Sequence, residues 1–142
     1  MSVIGMVTIF SGMNSYLATG ISYLIGILVV GLGLVIFSLL TKYNDLDEIR
    51  QGNVAVGLAT GGLILSLSNV MRFAILSNNT IIGVFTWGGI GILGMIVGWL
   101  LFEILTPQFC VDEELSKDNR SVGIMVFSVF MAISYIVGAS IS

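Results

Sequence analysis

Four stretches of this chain are too apolar and too long to be solvated by anything but lipid. Residues 16–40, 81–102 and 121–141 contain no charged side chain, and residues 54–76 contain one, Arg72. A helix needs about 20 apolar residues to cross a hydrocarbon core roughly 30 Å thick, and each stretch supplies that length. A membrane β-barrel strand alternates apolar and polar residues over about ten positions, whereas these runs are continuously apolar. A helix at the surface of a soluble bundle carries a polar outer face, and none of the four does. Composition agrees: 9% of the 142 residues are charged and 56% are hydrophobic, where soluble domains carry roughly 25% charge. The reading is an all-α integral membrane protein, one membrane domain over residues 1–142, with four transmembrane helices and the lipid bilayer as its first partner.

The opening "MSVIGMVTIFSGMN" lacks the basic start of a secretory signal, since no Lys or Arg precedes Lys42. Val3, Met6, Val7 and Phe10 recur at helical spacing with Ser2, Thr8 and Ser11 between them. That pattern suits a short interfacial helix; the alternative is that it extends the first span. Orientation follows from the basic residues. Lys42 and Arg50 follow the first span, and Lys117 and Arg120 follow the third, while the opposite side offers only "SNNT" and Arg72 near a helix end. The positive-inside bias places both charged segments in the cytoplasm and both termini outside.

Those two charged segments spell nearly the same phrase. "EIRQGNVAVG" at 48–57 returns 66 positions later as "ELSKDNRSVG" at 114–123, pairing Glu48 with Glu114, Asn53 with Asn119 and Gly57 with Gly123. The chain therefore reads as two parallel two-helix repeats, about 16–76 and about 81–142, related by an axis along the membrane normal. Asn53 and Asn119 stand where a returning helix begins, and Asn is a strong helix N-cap. The other reading is a ring of Asn and carboxylates, Glu48 and Glu114 among them, at the cytoplasmic mouth of an oligomeric pore.

Small residues point to the packing. Ala55, Ala59, Gly62 and Ser66 share a helical face, while Gly57 with Gly61 and Gly94 with Gly98 form two GxxxG patterns. Close backbone approach drives helix association in lipid, so these six glycines and alanines (Gly57, Gly61, Gly94, Gly98, Ala55, Ala59) are the expected helix contacts. The second and fourth spans are the expected central pair. At an offset of 66 the facing residues of the fourth span would be Ser121, Met125, Ser128 and Ala132.

"EIRQGNVAVGLATGGLILSLSN", "FTWGGIG" and "DNRSVGIMVF" together resemble the YjfL-like family of bacterial inner-membrane proteins, domain of unknown function 350. The resemblance covers the chain from the first span onward. It departs from the family pattern in lacking a proline near Val70, in carrying Arg72, and in having Asp118 where the first phrase has Gly52. It implies a small membrane protein of the bacterial inner (plasma) membrane without an assigned reaction, whose expected partners are membrane-remodelling or flotillin-like proteins, and it carries over no catalytic residue.

The residues themselves argue against chemistry. With no His there is no Ser–His or Cys–His nucleophile, and the single Cys110 allows neither a disulfide nor a thiolate metal cage. No phosphate-cradling glycine loop appears, and a formal charge of −3 without a basic stripe disfavours nucleic acid. No enzyme activity, cofactor or metal is expected. The acids Asp112, Glu113, Glu114 and Asp118 read as a solvated, helix-capping face. Arg72 and Glu103 are the charges nearest the membrane. Each reads either as snorkelling to an interface or as a site, anionic for Arg72 and proton-responsive for Glu103. The function expected is a non-catalytic, homo-oligomeric membrane-stress component acting through its acidic cytoplasmic segments; the alternative is a small oligomeric ion channel.

Overall fold

A computed structural model describes residues 15–78 and 80–141. The first fourteen residues, and with them the expected interfacial helix, lie outside the described residues. Six helices follow in order: α1 Ser15–Leu40, α2 Asp45–Arg50, α3 Val54–Ser77, α4 Ile81–Leu105, α5 Val111–Ser116 and α6 Arg120–Ile141. Among the described residues there is no strand. The four long helices are the four apolar stretches, each long and apolar enough to cross a membrane. Their ends fall at Asn53, Thr80 and Asn119, whose side-chain oxygens accept from backbone N–H groups left over in the first turn.

The helices bury narrow stripes because lipid, not water, bathes the rest. In α1 the buried positions are Ile25, Val29, Gly33 and Phe37, one every fourth residue. In α6 they run Val122, Val126, Phe130, Ser134 and Gly138 at the same interval. Of the four long helices α3 is the most buried, from Ala55 to Ala74, because it packs on α1, α4 and α6. The most extensive interface in the protein joins α3 to α6. These two run parallel: Ala55 meets Gly123, Gly62 meets Phe127 and Phe73 meets Gly138.

That crossing is close at two levels. A methyl group at Gly123 would sit 2.8 Å from the backbone of Ala55, and one at Gly62 would sit 2.8 Å from the Phe127 Cα. Neither position has room for a side chain, which is what small residues provide where packing alone holds helices together. Asn69 adds a hydrogen bond across the same interface, its Nδ2 donating to Ser134 Oγ at 3.2 Å. Nearer the polar end, Phe37, Trp99 and Phe130 bring α1, α4 and α6 together. Phe37 meets both partners edge-on, at 6.2 and 5.3 Å between centroids, and Trp99 stacks on Phe130 at 6.2 Å.

The glycines depart in part from expectation. Gly98 packs on Ile133, and a methyl group at Gly94 would lie 3.2 Å from Val137, so the α4 pattern does face α6. Ala55 and Ala59 are buried in the core. Gly57 and Gly61, however, face open space, with nothing within 4 Å of an added methyl group. The α6 face also differs: Ser121, Met125, Ser128 and Ala132 are exposed, and Val122, Gly123, Val126 and Phe127 take their place against α3. α3 packs broadly on α1, α4 and α6, whereas α6 packs mainly on α3 and α4, so matching residues need not point at matching targets.

Gly62→Leu should therefore destabilise the detergent-solubilised protein by about 1–3 kcal/mol through overpacking, whereas Gly61→Leu should change the fold's stability by no more than about 0.5 kcal/mol. Thermal melts of the two variants as detergent-solubilised monomers check this; equal losses would contradict the assigned faces.

Candidate functional site

The polar end of the bundle is built from the twice-spelled phrase, and both copies fold alike. α2 ends with Gly52 at φ +85°, and α5 ends with Asp118 at φ +59°. At each end the left-handed residue donates its N–H three residues back, Gly52 to Ile49 O and Asp118 to Leu115 O, both at 3.0 Å. The next residue reaches five back, Asn53 N to Glu48 O at 3.0 Å and Asn119 N to Glu114 O at 2.9 Å. This is a Schellman stop, and the Asn that completes it is at once the N-cap of the next helix. Its Oδ1 accepts from Val56 N at 3.0 Å in the first copy and from Val122 N at 3.4 Å in the second. Its Nδ2 donates to the carboxylate five residues earlier, Glu48 at 2.9 Å or Glu114 at 2.7 Å. The phrase thus folds one helix back into the next with almost every local polar group occupied.

The difference between Gly52 and Asp118 now has a cause. Both residue types tolerate a left-handed backbone, but only Asp carries an acceptor. Asp118 Oδ1 accepts from the N–H of Ala55 at 2.9 Å, capping the start of α3 across the chain, where a carboxylate also complements the helix dipole. In return Asn53, buried among these helices, donates to Leu115 O at 2.8 Å and Ser116 O at 3.3 Å. The two copies are laced to each other by side chains, each capping the other's helix end.

The acids separate by role. Glu48 and Glu114 orient the two asparagines, and Glu114 also lies 3.6 Å from Lys117. Asp118 lies 3.6 Å from Arg120, an exposed pair of the kind that contributes little. Asp47 and Glu113 are exposed. Asp112 corrects the expectation of a solvated face, because it points inward and is buried. Its Oδ2 accepts from Lys42 N–H at 3.3 Å, and its Oδ1 has no partner. Burial pushes its carboxyl above the ordinary range, Lys42 N–H holds it down, and Glu103 raises it again. Asp45 is raised by burial and by Asp112, and Tyr43 by burial and by Asp45, Asp112 and Glu48. Thr41, Tyr43 and Asp45 line a cavity of about 20 Å³ together with Phe37, Trp99 and Phe130. Among the described residues, no three His, Cys, Asp or Glu side chains converge as metal ligands.

The sequence model of the family described as Domain of Unknown Function (DUF350) matches residues 8–141. The chain belongs to this family. Among its relatives, the UPF0719 transmembrane protein YshE of Bacillus subtilis is 38% identical over 119 residues, covering 84% of this chain and 89% of the relative. The UPF0719 inner membrane protein YjfL of Escherichia coli K12 is 25% identical over 120 residues, again covering 84% and 89%. No solved structure matches.

The other expected positions scatter. Asn53, Asn119, Glu48 and Glu114 gather at the polar end as described. Arg72 is exposed toward the opposite end, its guanidinium 5.2 Å from the Phe73 ring centroid, and the structure does not bring it to Glu103. Asp112 and the Phe37–Trp99–Phe130 trio were missed by sequence reasoning. A signal for Asp118 was present, since Gly and Asp at matching positions fit one left-handed backbone.

Because the Asp112 pKa rises on folding, the folded state holds that proton more tightly than the unfolded chain. Stability is therefore highest below the ordinary carboxylate pKa and falls as pH rises through the raised value. Asp112→Asn, which cannot ionise, should flatten the decline of melting temperature as pH rises above about 4, the ordinary Asp value. Parallel melting curves for the two proteins across that range would contradict the assignment.

Proposed function

We propose that the protein is a non-catalytic membrane component that binds partner proteins through its polar end, which lies in the cytoplasm, and that it works as a homo-oligomer. The observation that carries the reading is the lacing of the two phrases by Asn53 and Asp118. It makes a rigid platform of two short helices, from which Asp47 and Glu113 project as exposed acids while Glu48, Glu114 and Asp118 hold the junctions. Rigid, pre-paid geometry suits a docking surface, because less order is lost on binding. Among the described residues no constellation of nucleophile, base and orienting group accompanies it. Lys42, Arg50, Lys117 and Arg120 at this end favour the cytoplasmic side, and the inner-membrane name of the E. coli relative suggests the membrane. Gly57 and Gly61, uncovered within one chain, are the contact we assign to a second copy.

A pore is the weaker reading. Phe37, Trp99 and Phe130 fill the bundle next to the polar end, and the outer face of α1 shows lipid-compatible Leu24, Ile27, Leu28, Leu32 and Val35. A water path between copies would need polar faces that α1 does not offer.

Photo-crosslinking residues at Asp47 and Glu113, compared with Leu93 on the lipid face, test the platform in intact membranes. Defined protein adducts at the first two and not the third are expected, with no ion flux from liposomes holding the purified protein. Flux without adducts would replace the platform with a channel. A cysteine at exposed Gln108, with Cys110→Ser, should react with an impermeant thiol reagent only after lysis; labelling in intact spheroplasts would reverse the orientation.

A further inference from the structure

A groove between α1 and α3 runs from Leu34 away from the polar end to Ser22. It holds about 500 Å³, within the range of small-molecule sites, and is lined by Ser22, Gly26, Val30 and Gly31 of α1 and by Ser68 and Arg72 of α3. It exists because two glycines leave the α1 surface bare: a methyl at Gly26 would reach only Ile75, 4.0 Å away, and one at Gly31 would reach nothing. Along α1 the groove spans residues 22–34, about 18 Å of helix, close to one leaflet of a roughly 30 Å core.

Its one charged lining residue is Arg72. α3 ends five residues later at Ser77, about 7.5 Å along the axis, so the guanidinium lies near the boundary between acyl chains and headgroups. Phe73 covers one side of it. Its N–H donors, five in a planar fork matched to phosphate, meet no carboxylate among the described residues. No Asp or Glu among the described residues lies at that end. The acids are Asp45, Asp47, Glu48, Glu103, Asp112, Glu113, Glu114 and Asp118, all in or beside the segments at the other end, and residues 1–14 contain none.

We propose that this groove binds an anionic phospholipid, with one acyl chain lying against Gly26 and Gly31 and the headgroup phosphate held by Arg72. An anionic headgroup is favoured over a zwitterionic one because no acidic side chain at this end is available to pair with an ammonium group. A second copy packed into the groove would bring another Arg72 and no acid, so charge complementarity favours lipid over self-association.

Native mass spectrometry of the full chain, released from detergent with equal dioleoylphosphatidylglycerol and dioleoylphosphatidylcholine, tests the assignment. The protein should retain the glycerol lipid about five-fold over the choline lipid, the scale set by one basic residue at an anionic surface. Arg72→Gln should bring that ratio to about one, and Arg72→Lys should keep part of it. Gly31→Leu, placed where no atom is displaced, should reduce retention of both lipids. Equal retention by the native protein, or an unchanged ratio in Arg72→Gln, overturns the site, and the arginine variants decide it even if Gly31→Leu does not fold. A dimer mass that excludes both lipids would assign the groove to a second copy. Displacement of bound phosphatidylglycerol by inorganic phosphate at matched concentration would overturn the role of the acyl chain.

Discussion

Everything in this structure depends on how an apolar chain turns around at its polar end. Inside the bilayer each long helix satisfies its own backbone, but every helix end leaves four N–H or four C=O groups without partners. Between α2 and α3, and again between α5 and α6, the chain leaves one helix and starts another within a few residues. Asn53 and Asn119 make that affordable by closing the outgoing helix with the backbone and capping the incoming one with the side chain. Without this junction, α3 and α6 could not start side by side, and the close crossing at Gly123 and Gly62 would have no fixed register.

The two junctions then diverge in a way that fixes the whole bundle. Asp118 reaches from the second copy to the start of α3, and Asn53 reaches from the first copy to the end of α5. These exchanged caps tie the parallel pair at its base. Above them the aromatic trio joins α1, α4 and α6, and Asn69 donates to Ser134 further along. α3 becomes the axle of the bundle, and α1, which buries one four-residue stripe against its neighbours, is the most lipid-exposed of the long helices.

Much of this was legible before any coordinates. The apolar stretch starting at residue 54 and the helix Val54–Ser77 share a first residue because Asn53 marks the start chemically and not only by hydropathy. Helix faces were legible in part. The small face of Ala55, Ala59, Gly62 and Ser66 is buried as its spacing suggests, with Gly62 against a neighbouring backbone, whereas the GxxxG pair Gly57 and Gly61 faces open space. A stripe of small residues reports that close approach is allowed somewhere and does not say which partner uses it. α2 and α5, at six residues each, are too short to show a period. Asp112 looked like its solvated neighbours because burial of one acid in a cluster depends on where α5 docks, which composition does not record.

The central claim is that the exchanged caps, not hydropathy alone, hold the parallel pair together. A double-mutant cycle on Asn53→Ala and Asp118→Gly, read by unfolding in mild detergent, tests it directly. Asp118→Gly keeps the left-handed backbone and removes the acceptor; Asn53→Ala removes a buried cap. Each should cost about 1–2 kcal/mol, and the pair should couple by more than about 0.5 kcal/mol because both act on one α3 terminus. Losses that simply add, or an Asn53→Ala protein no less stable than Asn119→Ala, would contradict the account.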